Sequence, residues 1–466
     1  MGHWNQVALQ KEREKRPGAY YHKLVHHYYR FLFPRGLRIL ELGCGQGELL
    51  ASLKPSFGVG CDFSGEMICR AAQKHPELFF IQADVHELPI KEQFDVIILS
   101  DLVNDLWDVQ MLFEKIHPLT CPGTRLVLNF YNNIWRIPLG AVKRLGLGAD
   151  LLEQNWFSPN DVFNLLQLTG FEVINHRSFI LFPLELSFLS HLANRYLVNF
   201  PPFSWLALTN FVLARRSPNQ SQRLSRKDFS VSVIVPARNE AGNIKNIMQR
   251  VTDLGEKTEL IFVEGHSSDN TFETIKGLTE GLADEKYKVF RQPGNGKGEA
   301  VRLGFEKAAG DILIILDADL TVLPEDLPRF VDALASGRGE FINGVRLVYP
   351  LENQSMRFLN MVGNKFFSLV FSWLLGQPIK DTLCGTKVLW KRNYEIIARN
   401  RHYFGDFDPF GDFDLLFGAA KLNFKIADMP IRYRSRTYGA TNIARWRHGW
   451  QLLKMVVFAA KRIKFI

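Results

Sequence analysis

Twice along this 466-residue chain, short β-branched runs end in tight turns and give way to helical patterns, several times over. The first series reads RILEL, FGVGCD, LFFIQAD, FDVIILSD and TRLVLNFY, between about residues 37 and 178. The second starts at Phe229 and reads VSVIVPA, ELIFVEG, KVFRQ and DILIILDAD. Strands apolar on both faces need cover on both faces, so the alternation predicts parallel sheets layered with helices. The expected fold class is therefore α/β, with two Rossmann-like domains. Between them RRSPNQSQRLSRKD, Arg215 to Asp228, is polar, contains Pro218 and reads as a linker. The boundaries expected are 1–215, a linker at 216–228, 229–443 and a basic C-terminal helix at 444–466.

Composition removes other classes. Hydrophobic residues at 46% and charged residues at 23% exclude a disordered or fibrous chain. Five Cys without a CxxC pair argue against a disulfide scaffold or zinc ribbon and fit a reducing compartment. The polar start MGHWNQVALQ does not read as a signal peptide, and Gln6 spoils a myristoylation signal. From Lys421 to Ile466 eleven Lys/Arg face one acid, Asp428, so this segment carries +10 of a chain whose net charge is +9, and the rest is near neutral. Such a segment predicts an anionic partner. Ser355–Gly376 and Arg445–Ile466 read as basic amphipathic helices that lie on a membrane surface. Phe179–Leu213 is aromatic, but its Pro residues leave no run of the ~20 residues that span a bilayer, and it reads as a packed or membrane-adjacent helical appendage.

ILELGCGQGELLASL is a strand, a glycine-rich turn and a helix. Gly43, Gly45 and Gly47 let the backbone turn sharply and approach a ligand. Asp62 ends the next strand, where a carboxylate can accept ribose hydroxyls, and Asp84-Val85 ends the third, where an adenine amino group can be met. This series resembles the class I S-adenosylmethionine-dependent methyltransferases. The resemblance implies that Glu41, Gly43, Cys44, Gly45 and Gly47 contact the methionine end, Asp62 the ribose, and Asp84 with Val85 the adenine. Methyl transfer needs mainly positioning and desolvation, so the acceptor leaves little trace in sequence. His22, His26 and His27 are candidates to line its pocket. No NPPY follows the fourth strand; LSDLVNDLWD stands there and favours a small-molecule or lipid-like acceptor. No aromatic stacking platform is evident beside this site, which speaks against nucleic acid as a partner.

The second series carries VSVIVPARNEAGNI, ELIFVEGHSSDNT, the glycine loop GNGKGEAVRLG with Lys297, and DILIILDADLTVLPED. Asp317 and Asp319 leave a hydrophobic strand one residue apart, an arrangement that is costly unless a divalent cation bridging a diphosphate compensates it. The set resembles family 2 glycosyltransferases of the GT-A fold, most of all the dolichyl- and polyprenyl-phosphate sugar transferases. The resemblance implies that Pro236, Ala237, Asn239, Glu240, Glu264 and Asp269 hold the nucleoside. Lys297, Asp317, Ala318 and Asp319 then take the diphosphate, with Mg2+ or Mn2+ on the two acids. Two departures stand out: Glu264-Gly265 where the family carries Asp-Asp, and Thr321-Val322 after DADL. Arg346 and Arg432, Arg434 and Arg436, alternating on an expected strand, would converge on an acceptor phosphate. Asp381, of an element D-x-x-x-G ending at Gly385, is the expected orienting carboxylate, with Asp412 the alternative. The reading is a bifunctional enzyme at the cytoplasmic face of a membrane. It methylates one acceptor and moves a sugar from a nucleotide sugar to a lipid phosphate. A glycosyltransferase acting on a non-lipid glycan, or a membrane-bound scaffold that binds nucleotides without turnover, are the alternatives.

Overall fold

The computed structural model describes residues 18–144, 154–219, 224–283, 285–346, 348, 358–403, 413–434, 436, 438 and 445–466. It divides into two compact units, Met1–Ser217 with Phe465–Ile466, and Pro218–Lys464.

The first unit is built on seven strands: β1 Arg38–Leu42, β2 Phe57–Asp62, β3 Phe79–Gln82, β4 Val96–Ser100, β5 Arg125–Tyr131, β6 Phe171–Phe179 and β7 Thr209–Arg216. Their order is β3-β2-β1-β4-β5-β7-β6. The five parallel strands are those read from the sequence, and β1 pairs with both β2 and β4. Chain direction of travel across the sheet reverses between β1 and β4, which leaves a crevice at their carboxyl ends. Leu40, Leu42, Ile97, Leu99, Leu126 and Leu128 fill one side of the sheet, and Ile39, Val96, Ile98 and Val127 the other. On that other side packs the helix Ala19–Leu32, whose buried face is Tyr21, Val25, Tyr28, Tyr29 and Leu32.

The expectation of a helical appendage over Phe179–Leu213 is corrected. A helix is present at Ser187–Arg195, but the segment ends in β7, whose first seven residues are buried. β7 runs antiparallel to both β5 and β6. The apolar run TNFVLA is buried on both faces because it lies between two neighbours rather than at an edge. Arg215 and Arg216, expected in a linker, close this strand, and Arg215 is paired with Glu172 at 2.6 Å.

The second unit repeats the plan with β8 Val231–Ala237, β9 Thr258–Glu264, β10 Tyr287–Arg291, β11 Ile312–Ile315, β12 Phe341–Val345, β13 Lys387–Trp390 and β14 Ile426–Pro430. The order is β10-β9-β8-β11-β13-β12-β14, with β13 antiparallel to β11 and β12. Here the reversal falls between β8 and β11, paired from Ile312↔Val231 to Ile315↔Ile234. The amphipathic segment expected at Ser355–Gly376 forms the helix Phe358–Leu375, and the C-terminal one forms Arg445–Ala459 followed by a π-helical turn at Ala460–Lys464. Among the described residues no helix is long and apolar enough to cross a membrane.

Close approach of helix to sheet fixes the crevice walls. The helix Lys297–Lys307 lies on β8 at Gly304, where an added Cβ would stand 2.5 Å from Ile234 Cγ2. Gly304→Ala is expected to destabilise the second unit by about 1–3 kcal/mol through overpacking. Urea unfolding checks this, and an unchanged midpoint would show that the contact is loose.

Candidate functional sites

In the first unit the glycine turn follows β1. Gly43, Gly45 and Gly47 hold φ of 72°, 53° and 75°, in the left-handed region that glycine enters without strain. Gly47 has a second reason to lack a side chain, since a Cβ would meet the Phe80 ring at 2.7 Å. Asp62 braces the turn: its Oδ2 accepts from the Gly45 amide and its Oδ1 from the Ser64 amide, each at 2.9 Å. Glu41 is buried beneath, accepting from the Leu50 amide at 3.0 Å. Burial, aided by the Asp62 charge, pushes its carboxyl up to about 8 despite that amide. Cys44 and Val85 are buried beside it, and burial raises the Cys44 thiol. Asp84 is exposed and is held by the amide and Nδ1 of His86, which keep its carboxyl below the usual range.

Trp107 is 72% exposed and its ring lies 4.4 Å from that of His86, beside Asp84. Of the helix Ala19–Leu32, His22 and His27 are exposed and His26 is half-buried, while Tyr21 and Tyr29 reach the strand ends. Sequence reasoning missed what they meet. Asp101, just past β4, accepts from Tyr21 Oη at 2.6 Å and from Asn129 Nδ2 at 2.5 Å. Tyr29 Oη donates to Asn129 Oδ1 at 2.8 Å. An acid directly after the fourth strand was visible, but a tyrosine 80 residues upstream was not.

In the second unit Asp317 and Asp319 emerge just beyond β11. Asp317 Oδ1 is paired with Lys297 Nζ at 2.6 Å. Asp319 Oδ1 accepts from Thr321 Oγ1 at 2.7 Å and from the Thr321 amide at 3.1 Å, while Oδ2 accepts from Arg436 Nη2 at 2.7 Å. Arg436 also reaches Glu240 at 3.4 Å. Thr321, a departure from the family pattern in the sequence, thus orients one of the two acids. Gly385 lies so close that an added Cβ would collide with both Asp317 and Lys297. Ala318 is buried between the acids.

The expected nucleoside-side residues cluster at the ends of β8 and β9. Asn239, at φ 58°, ties the two turns together: its amide donates to Ser267 Oγ and its Oδ1 accepts from the Ser268 amide at 2.8 Å. Glu240 accepts from Asn243 at 2.7 Å, and burial raises its carboxyl against the pull of Arg436. Glu264 is buried; burial opposes its charge, but the Ser267 amide and Arg291 prevail and hold it below its ordinary value. Asp269 turns back to accept from Thr271 at the start of the next helix, and Pro236 and Ala237 form the end of β8.

Three expectations are revised. Asp381 is fully buried, and both oxygens are taken by the Arg346 guanidinium at 2.7 and 2.9 Å, with Asn364 and the Arg346 and Leu383 amides adding to them. It braces Arg346 rather than facing a crevice, so it is not placed to orient an acceptor. Burial opposes its ionisation, and Arg346 more than offsets this, leaving its carboxyl below the usual range. Arg346 is correspondingly committed to Asp381 and stacks on Tyr433. Arg432, Arg434 and Arg436 do not alternate on a strand. β14 ends at Pro430, the last partner of β12, and the chain leaves the sheet after one more bond from the Ile431 amide to Val345. Arg432 and Arg434 are exposed there and Arg436 turns to the acids. Asp412 lies outside the described residues.

Comparison with known proteins accords with the two geometries. The family model for glycosyl transferase family 2 matches residues 232–394, and that for a methyltransferase domain matches residues 39–123. The chain carries a methyltransferase domain and a family 2 glycosyltransferase domain. The glycosyltransferase domain is similar to a dolichol-phosphate mannosyltransferase of Pyrococcus furiosus, 28% identical over 251 residues, which cover 51% of this chain and 67% of that protein. It is also similar to an undecaprenyl-phosphate 4-deoxy-4-formamido-L-arabinose transferase of Pectobacterium carotovorum, 36% identical over 162 residues, 33% of this chain and 47% of that protein. A solved S-adenosylmethionine-dependent methyltransferase of Mesorhizobium loti superposes at a TM-score of 0.33 and 23% identity, over 41% of this chain and 96% of that one.

Both sites make measurable predictions. Glu41 at about 8 and Asp101, raised to about 7 chiefly by burial, are more easily ionised in the unfolded chain than in the methyltransferase domain. Their ionisation therefore costs stability as pH rises from about 4.5 through 8. Thermal unfolding of this domain should fall across that window, and Glu41→Gln should flatten part of the fall; an unchanged slope would contradict the burial of that charge. In the glycosyltransferase domain, Gly385→Ala should keep the circular dichroism of the parent but lose nucleotide-sugar binding in calorimetry, because Asp317 and Lys297 must move. Retained affinity would show that their position is unimportant.

Proposed function

We propose that the chain is a bifunctional transferase. Its methyltransferase domain moves a methyl group from S-adenosylmethionine to a small-molecule or lipid-like acceptor. Its glycosyltransferase domain moves a sugar from a nucleotide sugar to a polyprenyl phosphate or related lipid phosphate. The observation that carries the second activity is the end of β11, where Asp317 and Asp319 stand beside Lys297 and the side-chain-free Gly385.

The donor set fits a hard divalent cation, Mg2+ or Mn2+: two carboxylates, neither fully buried, with the oxygens of a diphosphate to complete the shell. Such an ion, when bound, supplies neutralisation of the departing nucleoside diphosphate. Lys297 is within reach of the same phosphates, and Thr321 keeps Asp319 in one rotamer. Asn239, Glu240, Glu264 and Asp269 shape the turns that would receive the nucleoside. On the acceptor side, the exposed Arg432 and Arg434 supply cations for a phosphate, while Arg436 stays on Asp319. A phosphate monoester, with a second pKa near ~6, is largely dianionic at pH 7 and needs no strong base, which agrees with Asp381 being spent on Arg346.

A lipid acceptor is supported by exposed apolar rows. Val362, Phe366 and Leu369 are exposed on the helix Phe358–Leu375, and Trp450, Leu453 and Val457 on the helix Arg445–Ala459. Lys454, Lys461, Arg462 and Lys464 accompany the latter, as on helices that rest in a lipid interface. We assign the protein to the cytoplasmic face of a membrane as a peripheral or monotopic enzyme.

The purified protein, given mixed nucleotide sugars, polyprenyl phosphate and Mn2+, should form a glycosylated lipid phosphate detectable by mass spectrometry. Asp319→Ala should lower its formation by at least about 100-fold. Undiminished product from that variant would remove the metal site from the reaction.

A further inference from the structure

The methyltransferase site contains an acid that the donor-binding elements do not use. Asp101 follows β4 at φ 53°, a conformation open to Asp and Asn but unfavourable to most other side chains. It sits at the reversal between β1 and β4, and its neighbour Leu102 lies against Gly43 of the glycine turn, where an added Cβ would meet Leu102 Cδ1 at 2.8 Å. Both of its hydrogen bonds, from Tyr21 and Asn129, fall on Oδ1. Oδ2 takes none. Tyr21 is itself fixed by Thr209 Oγ1 of β7 at 2.9 Å, and the ring of Tyr131 at the end of β5 lies 5.8 Å from that of Tyr21.

We propose that Asp101, through Oδ2, accepts the proton of the methyl acceptor, and that this acceptor is an O–H or N–H compound without an anionic group at the reacting atom. The proposal rests on the methyl-transfer reading and names the acceptor class for that site. The reasoning is electrostatic. Asp101, Asp105, Glu41 and the phenols of Tyr21, Tyr29 and Tyr131 all face this end of the sheet, and no lysine or arginine is paired with Asp101 or Glu41 among the described residues. A carboxylate or phosphate acceptor would be repelled there. A neutral hydroxyl or an amine would not, and a sulfonium donor would be attracted. The lone pair of the oxygen or nitrogen forms the new bond to the methyl carbon. The carbon–sulfur bond breaks with its pair staying on sulfur, and the acceptor's proton passes to Oδ2. The positive sulfonium becomes a neutral thioether and the carboxylate a neutral acid, so charge is conserved. Burial raises Asp101 to about 7, which suits a group that must take up and release a proton near neutrality.

Calorimetry on the full chain separates this role from a structural one. S-adenosylmethionine and S-adenosylhomocysteine share every charge except the sulfonium. Relative to the neutral thioether, the affinity for the sulfonium should rise about threefold from pH 5.5 to pH 7, as Asp101 ionises beside it while Glu41, at about 8, stays largely protonated. Asp101→Asn, which tolerates the same backbone, should erase that relative rise. Glu41→Gln should weaken both ligands alike and leave it in place. Donor labelled in its methyl group, incubated with a solvent extract of cells, should then give alkali-stable label, as expected of an ether or amine, in the parent and not in Asp101→Asn. A ligand ratio that ignores pH or survives Asp101→Asn overturns the proposal, as does alkali-labile label of a methyl ester. If neither ligand binds the parent protein, the methyl-transfer reading itself falls.

Discussion

Two carboxylates at the exit of a buried strand are tolerable only with cations beside them, and the second unit is arranged around that need. Asp317 has Lys297, and Asp319 has Arg436 and Thr321. Each partner is delivered by a different part of the chain: Lys297 by the first turn of a helix, Thr321 by the loop after β11, and Arg436 by the segment that leaves the sheet after β14. The Arg434 amide bonds to the Thr321 carbonyl at 3.1 Å, which ties that departing segment to the acid-bearing loop. Gly385 completes the arrangement by being small. Charge compensation thus dictates where three loops go.

The first unit solves the opposite problem. Its acids Glu41 and Asp101 have no cationic side chain paired to them among the described residues, and burial raises both. There burial, rather than a cationic partner, suppresses the charge of the acids. One chain therefore uses the same strand-end crevice twice, with basic partners where a diphosphate is expected and without them where a sulfonium is.

Much of this was legible in the sequence for simple reasons. Strands apolar on both faces, such as VIILS and ILII, admit few alternatives, and glycines spaced at 43, 45 and 47 after a strand announce a tight turn. The misreadings have equally specific causes. TNFVLA follows a long aromatic stretch, and a short run buried on both faces looks the same as a buried helix segment. Arg432, Arg434 and Arg436 show period two, but strand pairing ends where β12 ends, and spacing alone does not reveal where a partner stops. Asp381 looked reactive because its spacing to Gly385 matched a motif; only the fold shows Arg346 closing on both of its oxygens. The Asp101 cluster joins residues from a helix and two strands, a conjunction that no local pattern encodes.

The place of β7 has an outcome for biosynthesis. It is the last strand of its sheet to leave the ribosome, yet it lies between β5 and β6. Until Arg216 has emerged, these two strands have no common neighbour, and Tyr21 lacks the Thr209 hydroxyl that fixes it. Cotranslational maturation of the amino-terminal half is thus gated by its final eight residues, and any attempt to express that half alone has to keep them.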